Sequence, residues 1–137
     1  MLEARRSLRH DTNRERFSWA IEPLRRYGDF GGRSPRKEYW MFWAMTTALS
    51  AIVWVTEKAL NVDQAFGPWG SVSLCVTLAL LIPSLALAVR RLHDADHRGW
   101  NLLLLFLPLV GWGLLIYLLA RKGTSGRNRF GEDPAEL

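Results

Sequence analysis

A chain of 137 residues is long enough for one compact unit and too short for two comfortable domains. Its formal net charge of +5 at pH 7 invites a nucleic-acid reading, but the basic residues flank apolar stretches and no DNA- or RNA-binding motif accompanies them, so no nucleic-acid partner is expected. A mean hydropathy close to zero averages polar ends with an apolar middle, and that middle argues against a soluble bundle, because Leu78 to Ile82 and Leu102 to Leu107 are apolar all round and leave no polar face.

Residues 1–16 read as a polar tail, with disorder the expectation from composition. They carry Glu3, Asp11 and Glu15 among the arginines, which speaks against a transit peptide. The first apolar run starts only at Tyr39, and no small-residue cleavage site follows it, which speaks against a signal peptide. Residues 17–134 form the expected membrane domain, followed by a C-terminal end at 135–137. Within 17–30, Phe17, Ala20, Ile21, Leu24 and Tyr27 recur at helical spacing, and Pro23 is expected to break or start that helix. Such a segment can lie in the headgroup plane or pack on the bundle.

Three runs then lack any charged side chain: Tyr39 to Thr56, Gln64 to Val89 and Gly99 to Ala120. A spanning helix needs about 20 mostly apolar residues to cover roughly 30 Å of hydrocarbon. The expected fold class is therefore an all-α membrane protein with three transmembrane helices, at about 39–58, 68–89 and 100–120, short polar loops and an N-terminal interfacial helix. Tyr39, Trp40, Trp54, Trp69, Trp100 and Tyr117 fall near the ends of these runs, where aromatic rings favour the interface. Pro83 predicts a kink in the second run, with the Ser84 hydroxyl available to the carbonyl it frees. The only cysteine, Cys75, lies inside that run and reads as a buried thiol.

The distribution of Lys and Arg sets the orientation. The N-terminal region holds 10, the first loop 1, the second loop 3 and the tail 4. With three spans and a cytoplasmic N-terminus, 13 lie inside and 5 outside, which is the better of the two orientations. If the third run were re-entrant, turning near Pro108, Gly111 and Gly113, the balance would be 17 to 1. The full third span is the leading expectation, because a backbone turning at that depth must be covered by protein.

The spans hold only weak polar groups such as Thr46, Ser50, Ser73 and Ser84, which suit helix packing better than an ion pathway. The strong chemistry lies in two surface groups: Arg33, Arg36, Lys37 and Glu38, and Arg90, Arg91, His93, Asp94, Asp96, His97 and Arg98. They read as positive-inside anchoring and helix-end ion pairs, with a phospholipid headgroup site as the sharper alternative. His93 and His97 are four apart, yet two His and two Asp in a short loop are a weak metal signal, so no metal and no cofactor is expected. No catalytic arrangement is visible, and the chain is not expected to be an enzyme.

Three stretches resemble one family. Tyr27-Gly28-Asp29-Phe30-Gly31-Gly32-Arg33-Ser34-Pro35-Arg36-Lys37-Glu38-Tyr39-Trp40 is similar to the opening motif of the domain of unknown function 805 family, the YhaH-like bacterial inner-membrane proteins. Arg90-Arg91-Leu92-His93-Asp94, followed by Gly99-Trp100, resembles its central motif, and Gly123 to Pro134, with Asn128, Phe130 and Gly131, its closing motif. The resemblance covers about residues 17 to 134. His97 lies outside the family pattern. What the resemblance implies is a multi-pass protein of the bacterial inner membrane, with Phe30, Gly32, Arg33, Arg36, Glu38, Trp40, Arg90, Arg91, His93, Asp94, Gly99, Trp100, Asn128, Phe130 and Gly131 as the positions expected to matter. It implies no activity. The leading functional expectation is a non-enzymatic module that meets membrane lipids, a membrane-protein partner or a second copy through a basic cytoplasmic face. The alternative is a subunit of an oligomeric pore or small-solute transporter.

Overall fold

The computed structural model describes residues 19–61 and 70–134. The expected N-terminal tail, most of the first loop and Trp69 lie outside them. Five helical elements follow one another: α1 (residues 19–25), α2 (Arg36–Ala59), α3 (Ser71–Asp94), a 3-10 helix (Gly99–Phe106) and α4 (Val110–Ala120). Among the described residues there is no strand beyond one isolated bridge between Asn128 and Gly131.

α2 and α3 have 24 residues each. At 1.5 Å per residue each is about 36 Å long, enough to cross roughly 30 Å of hydrocarbon. Both are apolar enough to be candidate spans. They pair antiparallel. At one end the Ser34 N–H donates to the Arg90 carbonyl at 3.2 Å. At the other, a Glu57 carboxylate oxygen accepts the N–H groups of Val72 and Ser73 at 2.8 and 3.1 Å. These are among the donors that a helix start leaves unpaired, and a negative charge there also meets the positive end of the α3 dipole. A side chain at Gly70 would meet that carboxylate and oblige it to shift away from the helix start.

α3 runs beyond its charge-free stretch, through Arg90 and Arg91 to Asp94. It stops in a Schellman turn: Asp96 takes φ 57°, its N–H bonds the His93 carbonyl at 3.0 Å, and the His97 N–H bonds the Leu92 carbonyl at 2.8 Å. His97 therefore leaves the helix face that carries His93, and its Nδ1–H bonds the Ala95 carbonyl instead.

The third apolar run is not the single membrane-length helix expected over 100–120. Pro108 brings no N–H, and Leu107 before it is extended at φ −97°, ψ 101°. Leu109 follows at φ 64°, ψ −72°, with the Val110 N–H bonded to the Pro108 carbonyl at 2.9 Å. This is a γ-turn of the rare positive-φ kind. The 3-10 helix and α4 are thus the two limbs of a hairpin, each about 16 Å long. A Cβ at Gly111 would strike the Leu104 carbonyl, so the limbs touch where glycine permits it. The hairpin also pairs much of its own backbone. The Leu107 N–H bonds Leu104, Gly111 bonds Leu107, Gly113 bonds Leu109, and the Trp112 indole donates to the Leu105 carbonyl at 2.9 Å. The protein cover that such a turn requires is thus supplied in part by the hairpin itself.

α1 runs through Pro23 and ends two residues after it, rather than starting or breaking at the proline. It is carried to α3 by Tyr27, whose hydroxyl donates to the Ala79 carbonyl at 2.6 Å. Ala79 lies four residues before Pro83, so its carbonyl is the one left without a helical donor. The expected partner, Ser84, instead donates to Leu80 at 2.6 Å. The core sits where α3 meets the hairpin: Ala88, Leu92, Leu115, Leu118 and Leu119 are buried together, with Tyr39, Leu102 and Leu104 against them.

Candidate functional site

The hairpin returns the chain to the end of α3 at which it left, and so carries the closing motif to the other two. Asp94, on the last turn of α3, is the junction. Its Oδ1 accepts Nε and Nη2 of Arg33 at 3.1 and 2.9 Å, and its Oδ2 accepts Nη1 of Arg91 at 2.6 Å. Its carbonyl accepts the Thr124 N–H at 2.9 Å and hydroxyl at 3.2 Å. A side chain at Gly123 would overlap the Asp94 carboxylate, so only glycine lets the tail pass this close.

Arg33 uses all of its donors. Beyond the two bonds to Asp94, Nη1 reaches the Gly126 and Gly131 carbonyls at 2.6 and 3.3 Å, and Nη2 reaches Thr124 at 2.5 Å. Five donors in a rigid fork are what arginine offers and lysine does not. Arg91 is used similarly: Nε donates to the Leu119 carbonyl at 2.9 Å and Nη2 to the Arg121 carbonyl, at the free C-terminal end of α4. Both arginines and Asp94 are buried.

His93 and the tail form a second layer. The His93 Nδ1–H donates to the Gly32 carbonyl at 3.1 Å, and its ring stacks on Phe130 at 3.9 Å with the planes 2° apart. Asn128 ties the tail down, donating from Nδ2 to the His93 carbonyl and the Thr124 hydroxyl, both at 2.9 Å. Gly32 at φ 75° and Gly131 at φ 138° adopt backbone conformations that favour glycine. Arg129 closes the edge on Asp96 at 3.0 Å.

Arg90 and Glu38 form a separate pair. Arg90 is 0% exposed, none of its three guanidinium nitrogens has a protein hydrogen-bond acceptor, and its ion-pair contact with Glu38 is 3.6 Å long. Towards α1, outside the long helices, the Arg26 guanidinium lies 2.5 Å from Asp29 and holds that carboxyl below its usual range, helped by the Gly31 N–H.

The motif positions thus divide. Gly32, Arg33, Arg91, His93, Asp94, Asn128, Phe130 and Gly131 come together. Glu38 and Arg90 lie beside them as a second pair. Gly99 packs on Val89, where a Cβ would stand 3.0 Å from the valine. Phe30, Trp40 and Trp100 face outward, as does Arg36, which makes a long 3.5 Å contact to the Ala120 carbonyl. Sequence reasoning missed Thr124 and Gly126, which act through backbone carbonyls, and the hydroxyl contact of Tyr27, which answers a proline 56 residues further along. No group of three potential ligands arranged for a metal is present among the described residues.

Two apolar helices of spanning length, joined at one end by a knot of buried charges, define an all-helical membrane protein. Residues 27–132 match the family described as "Protein of unknown function (DUF805)", and the chain belongs to that family. It is 41% identical over 118 residues to inner membrane protein YhaI of Escherichia coli (strain K12), covering 86% of this chain and 96% of that one. It is 36% identical over 118 residues to inner membrane protein YhaH of the same strain, covering 86% and 97%. No solved structure matches the chain. The resemblance read from the three motifs is thereby shown, and with it membership of an uncharacterised family of inner membrane proteins.

Proposed function

We propose that the protein is a non-enzymatic inner-membrane module with two spans and a re-entrant hairpin, whose three motifs build one composite cytoplasmic surface for binding anionic lipid. The observation that carries this reading is the Arg33–Asp94–Arg91 knot. It joins the opening, central and closing motifs at one end of the α2–α3 pair, which supports a tail on the same side as the N-terminal region. In that arrangement 17 Lys and Arg lie on one side and Lys58 alone on the other, which favours that side as cytoplasmic. Hairpin limbs of about 16 Å reach roughly half the hydrocarbon thickness. The non-enzymatic reading draws support from the engagement of Arg33, Arg91 and Asp94 with one another and with backbone carbonyls, which leaves these buried charges to hold the chain together.

Two measurements test this. Paired fusions after Leu137, to a reporter fluorescent only in the cytoplasm and to an enzyme active only outside, should show the tail inside; an outside tail sinks the two-span topology. Purified full-length protein should retain phosphatidylglycerol over phosphatidylethanolamine through delipidation, and equal loss of both lipids sinks the lipid-binding role.

A further inference from the structure

Most cations at this end are matched by an acid. Arg25 faces Glu22, Arg26 faces Asp29, Arg127 faces Glu132 and Arg129 faces Asp96, while Arg33, Arg90 and Arg91 have buried carboxylates. Among the described residues, six Lys or Arg side chains have no carboxylate within 4.0 Å: Arg36, Lys37, Lys58, Arg98, Arg121 and Lys122. Three of the six, Arg36, Lys37 and Lys122, line one cavity of about 500 Å³ at the start of α2, together with Trp19 and Ser125. That volume lies within the usual range for small-ligand sites.

We propose that this cavity receives the phosphate of an anionic phospholipid. Two acids also line it, and neither repels an anion at full strength. Asp94 is held between Arg33 and Arg91, and Asp133 lies 3.9 Å from Arg33 and accepts the Gly126 N–H at 3.1 Å. The three rim cations are left as the unbalanced charge. The cavity lies at headgroup level, because the charge-free run of α2 begins at Tyr39, two residues after Lys37, with Trp40 exposed beside it. Basic pockets between membrane helices on the cytoplasmic side take phosphate headgroups in this way. A lipid is favoured over a soluble phosphate because the lining residues Arg36 and Lys37 directly precede the charge-free, membrane-length run of α2. Arg33 takes no part, since its five donors are spent within the chain.

The assignment rests on the lipid-binding reading above, and titration of detergent-solubilised full-length protein with dioctanoyl phosphatidylglycerol tests the two separately. The triple variant Arg36→Ala, Lys37→Ala, Lys122→Ala is compared with Lys58→Ala, Arg98→Ala, Arg121→Ala, which removes the same charge elsewhere. The cavity triple should bind about a hundred-fold more weakly, and the other triple less than about ten-fold. Lys37→Ala with Lys122→Ala alone should still cost about thirty-fold, which keeps the test open if the triple fails to fold. Equal losses in the two triples overturn the cavity assignment and leave general charge attraction. Inorganic phosphate that displaces the lipid at equal concentration overturns the lipid source. No binding by the unaltered protein removes the lipid-binding reading itself and the assignment with it.

Discussion

The two halves of α3 lie in different surroundings. From Val72 to Ile82 the helix touches mainly α2 on one side, and Val72, Leu78, Leu81 and Ile82 stand 45–57% exposed on the other. From Pro83 onward it is enclosed by α1, the glycine turn, both hairpin limbs and the tail, and Ala86, Leu87 and Leu92 are at most 1% exposed. Hydropathy does not distinguish Val72 to Ile82 from Leu85 to Val89, because lipid and protein interior are equally apolar. Shape and polar bonds do. Ala86 and Ala88 let neighbouring backbones approach closely, as small residues do in membranes. The charged residues at the lower end then fix which segments approach.

If charged bonds rather than apolar burial gather the lower half, cutting them should undo it while the upper half survives. Asp94→Ala strands two buried guanidinium groups at once. Removing one partner of a buried ion pair costs about 3–5 kcal/mol, and here a single carboxylate serves both. The expected outcome is a large fall in the melting midpoint in detergent, with amide exchange rising in residues 99–134 and little changed in Val72 to Ile82. Uniform exchange across both halves would mean that they form one cooperative unit and that the contrast is only one of exposure.

Arg90 and Glu38 sharpen the comparison, because they are charged without being well bonded. Glu38→Leu alone leaves a buried cation and should destabilise by about 3 kcal/mol. Arg90→Leu together with Glu38→Leu should recover to within about 1 kcal/mol of the original protein, since a poorly satisfied buried pair can be replaced by apolar side chains at little cost. A double variant as unstable as Glu38→Leu would show that Arg90 has a structural role its contacts do not reveal.

The two long helices were legible because an unbroken apolar run of spanning length is rare outside a membrane helix. The basic and glycine-bearing motifs were legible as important, and most of them do meet. What the sequence concealed was the path of Gly99 to Ala120. Counting residues gives the same length for a helix and for a hairpin, and Pro108 with Gly111 is compatible with either a kink or a turn. The positive-inside balance of 17 to 1 pointed to the hairpin. Against it stands the need for a turning backbone to be covered by protein, which the Trp112 indole and the γ-turn meet in part by pairing the hairpin's own carbonyls. The partners of Arg33 were hidden for a different reason. Three of its five bonds go to backbone carbonyls, which carry no residue signature.

The boundary between the halves, at Pro83, admits a finer test. Proline leaves the Ala79 carbonyl without a helical donor, and Tyr27 provides one from outside the helix. In an apolar setting water does not replace that bond, so Tyr27→Phe should cost about 1 kcal/mol. Pro83→Ala restores an N–H to the helix, and the Ala79 carbonyl then has an internal partner. In that background Tyr27→Phe should cost close to nothing. The interaction energy across the four proteins therefore measures the bond itself, separately from whatever the tyrosine ring contributes by packing. A Tyr27→Phe cost that is the same with and without Pro83 would assign α1's hold on α3 to ring packing, and the junction of exposed and enclosed helix would then owe nothing to the proline.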